Sequence, residues 1–383
     1  MASAMMLNIL GAVLLIVGLL AAWRLAPQRP DVPAAGWFPD PAAKAPRSRR
    51  WDGQAWTAQV ADGTEQANRG HHFRGRFWGR WVWILAAAVV VLVVGIVVYQ
   101  TTENVHVMAV TSFVAMALVC WAFYGFVERQ LALRDVVGLG QIAAVAVGSA
   151  GATLLIALNL NNLTGSIGGI SLATALVGFT EESAKLLVPI VLFLLGTYRN
   201  PRAGVAIGLA AGFGFAIAET TLYAYEIAAA SGPNFCGTET PAVTTGMVVS
   251  AQVARIFGVS PFHWLFTGIA VAIAWRAWHL YGRKGTPAAI GGILLVMVVH
   301  SLNDTSATLG CDTPAVQSLL ALVRYGLVVA MYLVFKAWTR KHTPPQMIGA
   351  VSTGWTPKHL GEQKVSAAET SAQGTPAREP ADG

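Results

Sequence analysis

Glu181-Glu182-Ser183-Ala184-Lys185 stands inside an apolar run that extends from Ile167 to Leu195. A run of roughly 20 apolar residues is long enough to cross ~30 Å of hydrocarbon. A charged side chain at the centre of a bilayer costs roughly 2.5–3.5 kcal/mol on insertion scales. One such group can snorkel to the surface, but three ionisable groups within five residues require partners, water or a function. If this stretch is a membrane span, other helices must supply what it lacks.

The rest of the chain supports a membrane setting. Of its 383 residues, 55% are apolar and 12% charged, whereas soluble domains carry about 25% charged residues. Apolar spans read at about 4–23, 81–99, 107–127, 136–159, 168–196, 203–225, 259–278, 287–309 and 317–338. The expected fold is therefore an all-α polytopic membrane protein of about nine transmembrane helices. The formal charge of +7 is not a nucleic-acid signal. All of the 26 Lys and Arg except Lys185, Arg255 and Arg324 fall in one alternating set of loops and the C-terminal tail. The positive-inside rule then puts the N-terminus outside and the C-terminus in the cytoplasm. Lipids are the expected surroundings.

Four regions follow. Residues 1–23 read as a membrane anchor and not as a signal peptide, because no charged n-region precedes the apolar run and Arg24 follows it. Residues 24–80 are a cytoplasmic insert rich in Trp and Arg, 81–338 a multi-span domain, and 339–383 a polar tail expected to be disordered. Within the insert, Gly36-Trp37-Phe38-Pro39-Asp40-Pro41 and Arg50-Trp51-Asp52-Gly53-Gln54-Ala55-Trp56 carry turn signals beside tryptophans that could cluster. The motif at 35–57 resembles a short Trp-rich module of unknown function from actinobacterial membrane proteins. Arg74 to Trp83 reads instead as a membrane-proximal belt. Of the three cysteines, Cys120 lies mid-span and is expected simply to pack. Cys236 and Cys311 fall in two outer loops, where they are a candidate disulfide or two separate thiols.

The remaining intramembrane polar groups are Glu219, His263, His300, Asp304 and Arg324. At about 1.5 Å per residue, Glu181, Glu219 and His300 fall at compatible heights from the centre to the outer half. Gly204, Gly208 and Gly212 form a small-residue face that admits another helix closely. Glu219, two turns beyond Gly212, lies on nearly that face. Two imidazoles with several carboxylates have the composition of a zinc site with an open water position. A further carboxylate would take the proton from that water, and Asp304, one turn past His300, would support the imidazole or bind directly. Lys185 balances the glutamate pair. Arg324 reads as a counter-charge for a carboxylate and Arg255 as an interfacial anchor. Alternatively, Glu181–Lys185 is a structural ion pair, or the carboxylates and histidines form a proton or cation relay in a transporter.

Glu181-Glu182-x-x-Lys185, Phe215-x-x-x-Glu219 and His300-x-x-x-Asp304 resemble, in order, the motifs of the PrsW-type intramembrane protease family. Arg255 with His263-x-x-x-Thr267 is similar to the stretch preceding that family's last motif. The resemblance spans about 170–310 and implies a helical core like that of the wider CAAX-protease superfamily. It also implies an endopeptidase of the bacterial plasma membrane, acting on a membrane-anchored protein such as an anti-sigma-factor-like regulator. The site read with it has Glu181 as the favoured general base, with Glu182 the alternative, His263, His300 and either Glu182 or Glu219 as zinc or water ligands, and Lys185 and Asp304 in support. Metal-free glutamate proteolysis and a non-catalytic scaffold or ion-coupled transporter are the alternatives.

Overall fold

The computed structural model describes residues 2–26, 36–40, 47–52, 56–62, 79–131, 133, 136–231, 242–306, 313–342 and 363–364. Ten helices run in the order α1 (Ala2–Leu25), α2 (Arg80–Thr102), α3 (Val105–Leu131), α4 (Leu139–Ala152), α5 (Leu158–Leu194), α6 (Pro201–Ala228), α7 (Thr245–Ala254), α8 (Ser260–Tyr281), α9 (Thr286–Thr305) and α10 (Pro314–His342). Among the described residues, eight helical stretches are long and apolar enough to cross a membrane. The protein is a polytopic, largely all-α membrane protein. Cys120 is buried and free, whereas Cys236 and Cys311 lie outside the described residues.

One of the eight stretches, Leu139–Leu194, folds back on itself. Gly168 (φ −130°, ψ 16°) and Gly169 (φ 66°, ψ −165°) interrupt α5, and the second conformation is one that only glycine adopts readily. Asn161 is hydrogen-bonded to Thr180 and Glu181. A straight helix would separate those positions by about 30 Å, so the arms 158–167 and 170–194 lie side by side and antiparallel. The turn divides Leu139–Leu194 into stretches 139–167 and 170–194, which correspond to the spans expected at 136–159 and 168–196. The sequence suggested a break after 159, but the helix continues to the glycines. Asn159, Thr164 and Ser166 bond carbonyls of their own helix, which leaves few polar groups to pull this segment out of helical form.

The glycine face of α6 packs on α8 as its spacing implies. A Cβ on Gly204 would lie 2.3 Å from the Trp275 ring, on Gly208 2.9 Å from Val271, and on Gly212 2.8 Å from the Trp264 backbone. Helix α7 continues into α8 through a π turn at Arg255–Val259. Pro261 brings no N–H to the backbone ladder, and the helix widens just before it, with the Ser260 hydroxyl donating to the Arg255 carbonyl at 2.8 Å. The N-terminal helix is also part of the packed body. A Cβ on Gly18 would lie 2.2 Å from the Gly148 backbone of α4. Tyr198 donates to the Ala22 carbonyl at 2.7 Å, and Asn159 donates to Asn8 at 2.7 Å.

The insert contributes a small sheet that helical periodicity does not announce. Strands β1 (Gly36–Pro39), β2 (Arg47–Trp51) and β3 (Trp56–Asp62) form an antiparallel meander. Trp37 and Trp51 are buried in it, and Asp40 receives ion pairs from Arg47 and Arg49 at 2.8 and 3.3 Å. Residues of the tail expected to be disordered add β4 (Gln363–Lys364), parallel to β3. Most of that tail lies outside the described residues.

Candidate active site

Four helices and the π turn converge on the opening motif. The second arm of α5 carries Glu181, Glu182 and Lys185, α6 carries Glu219, the π turn Arg255, α8 His263 and Thr267, and α9 His300 and Asp304. Glu181, Glu182, Lys185, His263 and His300 are each no more than 3% exposed. Charges buried this deeply persist only with close partners, and these are mutual. The Lys185 ammonium lies 2.8 Å from Glu182 Oε1, 3.3 Å from Glu181 Oε2 and 3.0 Å from His263 Nδ1. The Phe215 ring sits 4.0 Å from the ammonium, a cation–π contact on its remaining side.

The adjacent glutamates diverge by about 100° around the helix and meet different surroundings. Glu182 is fully engaged, with Oε1 taking Lys185 and His300 Nδ1 (2.9 Å) and Oε2 taking the Thr267 hydroxyl (2.8 Å). Glu181 offers Oε1 to the Asn161 amide at 3.4 Å. Its Oε2 lies 3.6 Å from both His263 Nδ1 and His300 Nε2. Glu181 is thus the glutamate that stands between the two imidazoles.

The ring tautomers follow from the partners. An ammonium only donates, so His263 Nδ1 accepts from Lys185 and its proton sits on Nε2. Glu182 is acceptor-only when ionised, so His300 Nδ1 carries the proton and its Nε2 lone pair faces Glu181. Phe266 stacks on His300, with centroids 4.6 Å apart, and fixes the ring plane. A carboxylate behind the protonated nitrogen of an imidazole is how metal-ligating histidines are commonly held.

The donor atoms of Glu181, His263 and His300 lie within 4.8 Å of one another. His263 Nε2 and Glu219 Oε2 approach to 2.9 Å, yet neither makes an aligned hydrogen bond. Three carboxylates (Glu181, Glu182 and Glu219) face two permanent cations (Lys185 and Arg255), so the cluster has an excess of negative charge. Two imidazoles with Glu181 beside them, in a cluster with that excess, have the composition of a divalent-cation site of the zinc type, in which the cation would take the His263 Nδ1 lone pair that Lys185 now holds.

Several expectations change in detail. Glu219, suggested as a ligand, lies beside His263 and pairs with Arg255. The carboxylate that joins both imidazoles is Glu181. Arg255 is no interfacial anchor, because the π turn brings it onto Glu219, with its guanidinium 3.4 Å from the centre of the Tyr223 ring. Asp304 stands 4.0 Å from His300 Nε2 with 36% of its side chain exposed, at the rim and too far for a hydrogen bond. Arg324 donates to the Asn303 carbonyl at 2.7 Å and the Ser306 hydroxyl at 3.0 Å. It therefore satisfies the end of α9, where free carbonyls need donors, and among the described residues no carboxylate pairs directly with it. Asn161 was missed altogether, because an Asn-rich segment between two apolar runs reads as a loop.

A family model described as PrsW family intramembrane metalloprotease matches residues 129–337, more than half of the chain. A second, described as a protein of unknown function (DUF2510), matches residues 35–69. No curated protein and no solved structure matches the chain.

Proposed function

Since the chain belongs to the PrsW family of intramembrane metalloproteases, we propose that it is an endopeptidase of the bacterial plasma membrane that hydrolyses a membrane-anchored protein. An anti-sigma-factor-like regulator is the kind of substrate we favour. The observation that carries this reading is Glu181, buried between His263 and His300 from two other helices. A lone structural ion pair with Lys185 would not need both imidazoles at that carboxylate.

In this mechanism Glu181 takes the proton of the attacking water and returns it to the leaving amine. His263 and His300 would hold a divalent cation, most simply zinc, which when bound lowers the pKa of water and polarises the scissile carbonyl. Glu182 orients His300 through its hydrogen bond, and Glu219 lies beside His263. Lys185 pairs with Glu182 at 2.8 Å and with Glu181 at 3.3 Å, balancing the two adjacent carboxylates. With the N-terminus outside, the site lies in the outer half of the membrane, and Asp304 marks its approach. A transporter relay would need no fixed imidazole, so the carboxylate that orients His300 favours hydrolysis.

The test uses full-length protein in nanodiscs with a panel of quenched-fluorescent single-span peptides. Wild type is expected to cleave at least one peptide, to lose cleavage on chelation and to recover it with zinc. The His263→Ala/His300→Ala variant should copurify without stoichiometric metal. Cleavage that survives chelation, in a protein that holds no metal, would overturn the cation assignment. No cleavage of any peptide, together with measurable ion flux, would overturn the protease reading.

A further inference from the structure

The fold-back of α5 brings one polar side chain to Glu181 from outside the motifs. Asn161 lies on the first arm, half-buried. Its Oδ1 accepts from the Thr180 hydroxyl, and its Nδ2 donates to Glu181 Oε1 at 3.4 Å. The two oxygens of Glu181 are thereby distinguished. Oε1 faces the Asn161 amide, while Oε2 faces Lys185, His263 and His300 at 3.3, 3.6 and 3.6 Å.

The terminal torsion of a glutamate is soft and broadly two-fold, so nothing in Glu181 itself sets the rotation of its carboxylate. Lys185, His263 and His300 all lie on the Oε2 side, and among the described residues the hydrogen bond given to Oε1 is that of Asn161. The arm that delivers it is held in place. Gly168 and Gly169 set the reversal, and Asn159, two residues before Asn161, donates to Asn8 of α1 at 2.7 Å. Thr180 precedes Glu181 directly, so the Asn161 amide is registered against the same turn of helix that carries the glutamate.

We propose that Asn161 is a positioning residue for hydrolysis. It fixes the rotation of the Glu181 carboxylate so that one oxygen is kept for the water between the two imidazoles. This rests on the protease reading above, because it assigns Asn161 to the base of that reaction. A hydrogen bond to a charged acceptor contributes enough for about a tenfold effect on rate.

Asn161→Ala and Thr180→Val separate positioning from simple clasping of the hairpin. Asn161→Ala removes the bond to Glu181, while Thr180→Val removes only the clasp. On a peptide that wild type cleaves, Asn161→Ala is expected to lower kcat about tenfold with KM unchanged, and Thr180→Val to lower it much less. A thermal double-mutant cycle in nanodiscs gives a readout that needs no substrate: the Tm losses of Asn161→Ala and Glu181→Ala should not add. Equal kcat losses in Asn161→Ala and Thr180→Val, or additive Tm losses for Asn161→Ala with Glu181→Ala, would overturn the proposal. If wild type cleaves no peptide, the protease reading fails, and additivity in the cycle still decides whether Asn161 and Glu181 are coupled.

Discussion

Gly178→Ala adds one carbon at the crossing of α5 and α9, and the structure sets the size of its effect. The new Cβ would lie 2.0 Å from the Met297 carbonyl oxygen and 2.8 Å from both the backbone nitrogen and the hydroxyl of Ser301. An ordinary carbon–oxygen contact is no closer than about 3.3 Å, so α9 must retreat by about 1.3 Å. His300 lies between Met297 and Ser301 and moves with them. Its bond to Glu182, now 2.9 Å, would stretch past hydrogen-bonding range. Overpacking of this kind costs about 1–3 kcal/mol, and a displacement near 1 Å at reacting groups lowers turnover about 100-fold. Gly291→Ala, on α9 itself, is the control, because nothing lies within 4 Å of its Cβ position. The assay compares peptide cleavage and thermal unfolding of the two variants in one lipid. Gly178→Ala should lose both rate and Tm while Gly291→Ala keeps them. Wild-type cleavage and Tm in Gly178→Ala would refute the claim that this crossing sets the position of His300.

Two further outcomes follow from the same packing. Lys185→Met leaves Glu181 and Glu182 without their shared ammonium, an uncompensated burial worth about 3–5 kcal/mol. Thermal unfolding should show a large loss of Tm, partly recovered by adding Glu182→Gln, and an unchanged Tm would remove the ammonium from the account. Gly18→Leu forces α1 off α4, where even a Cβ would lie 2.2 Å from the Gly148 nitrogen. Overpacking there should destabilise by about 1–3 kcal/mol and abolish crosslinking between cysteines placed at positions 8 and 159, whereas retained crosslinking would show that α1 docks without the glycine contact.

The sequence made the buried cluster legible because charge in an apolar span is a local anomaly, and Glu181, Lys185, His263 and His300 each stand out without knowledge of neighbours. The Gly204–Gly208–Gly212 face was equally readable, since its period alone names the side of α6 that α8 covers. The division of labour between Glu181 and Glu182 was not readable. It depends on Thr267 and His300 approaching from one side and Asn161 from the other. Arg255 was misassigned because a cation at the end of an apolar span reads the same whether it meets a headgroup or, as here, a carboxylate on another helix. Asn161 was hidden for the opposite reason: its neighbours Asn159, Asn162 and Thr164 give the segment the composition of a loop, while Asn159 and Thr164 bond the helix backbone and the segment is helical. The sheet at 36–62 was visible only as turn signals and tryptophans, because its strands span just four to seven residues each.

The most direct measurement is the cleavage rate of wild type and Glu181→Gln on one single-span peptide, with product masses locating the cut. Glutamine keeps the shape and the Asn161 contact but cannot take a proton from water. The account predicts a cut within the span by wild type and none by a Glu181→Gln protein of wild-type Tm. Cleavage at the wild-type rate by Glu181→Gln would contradict it.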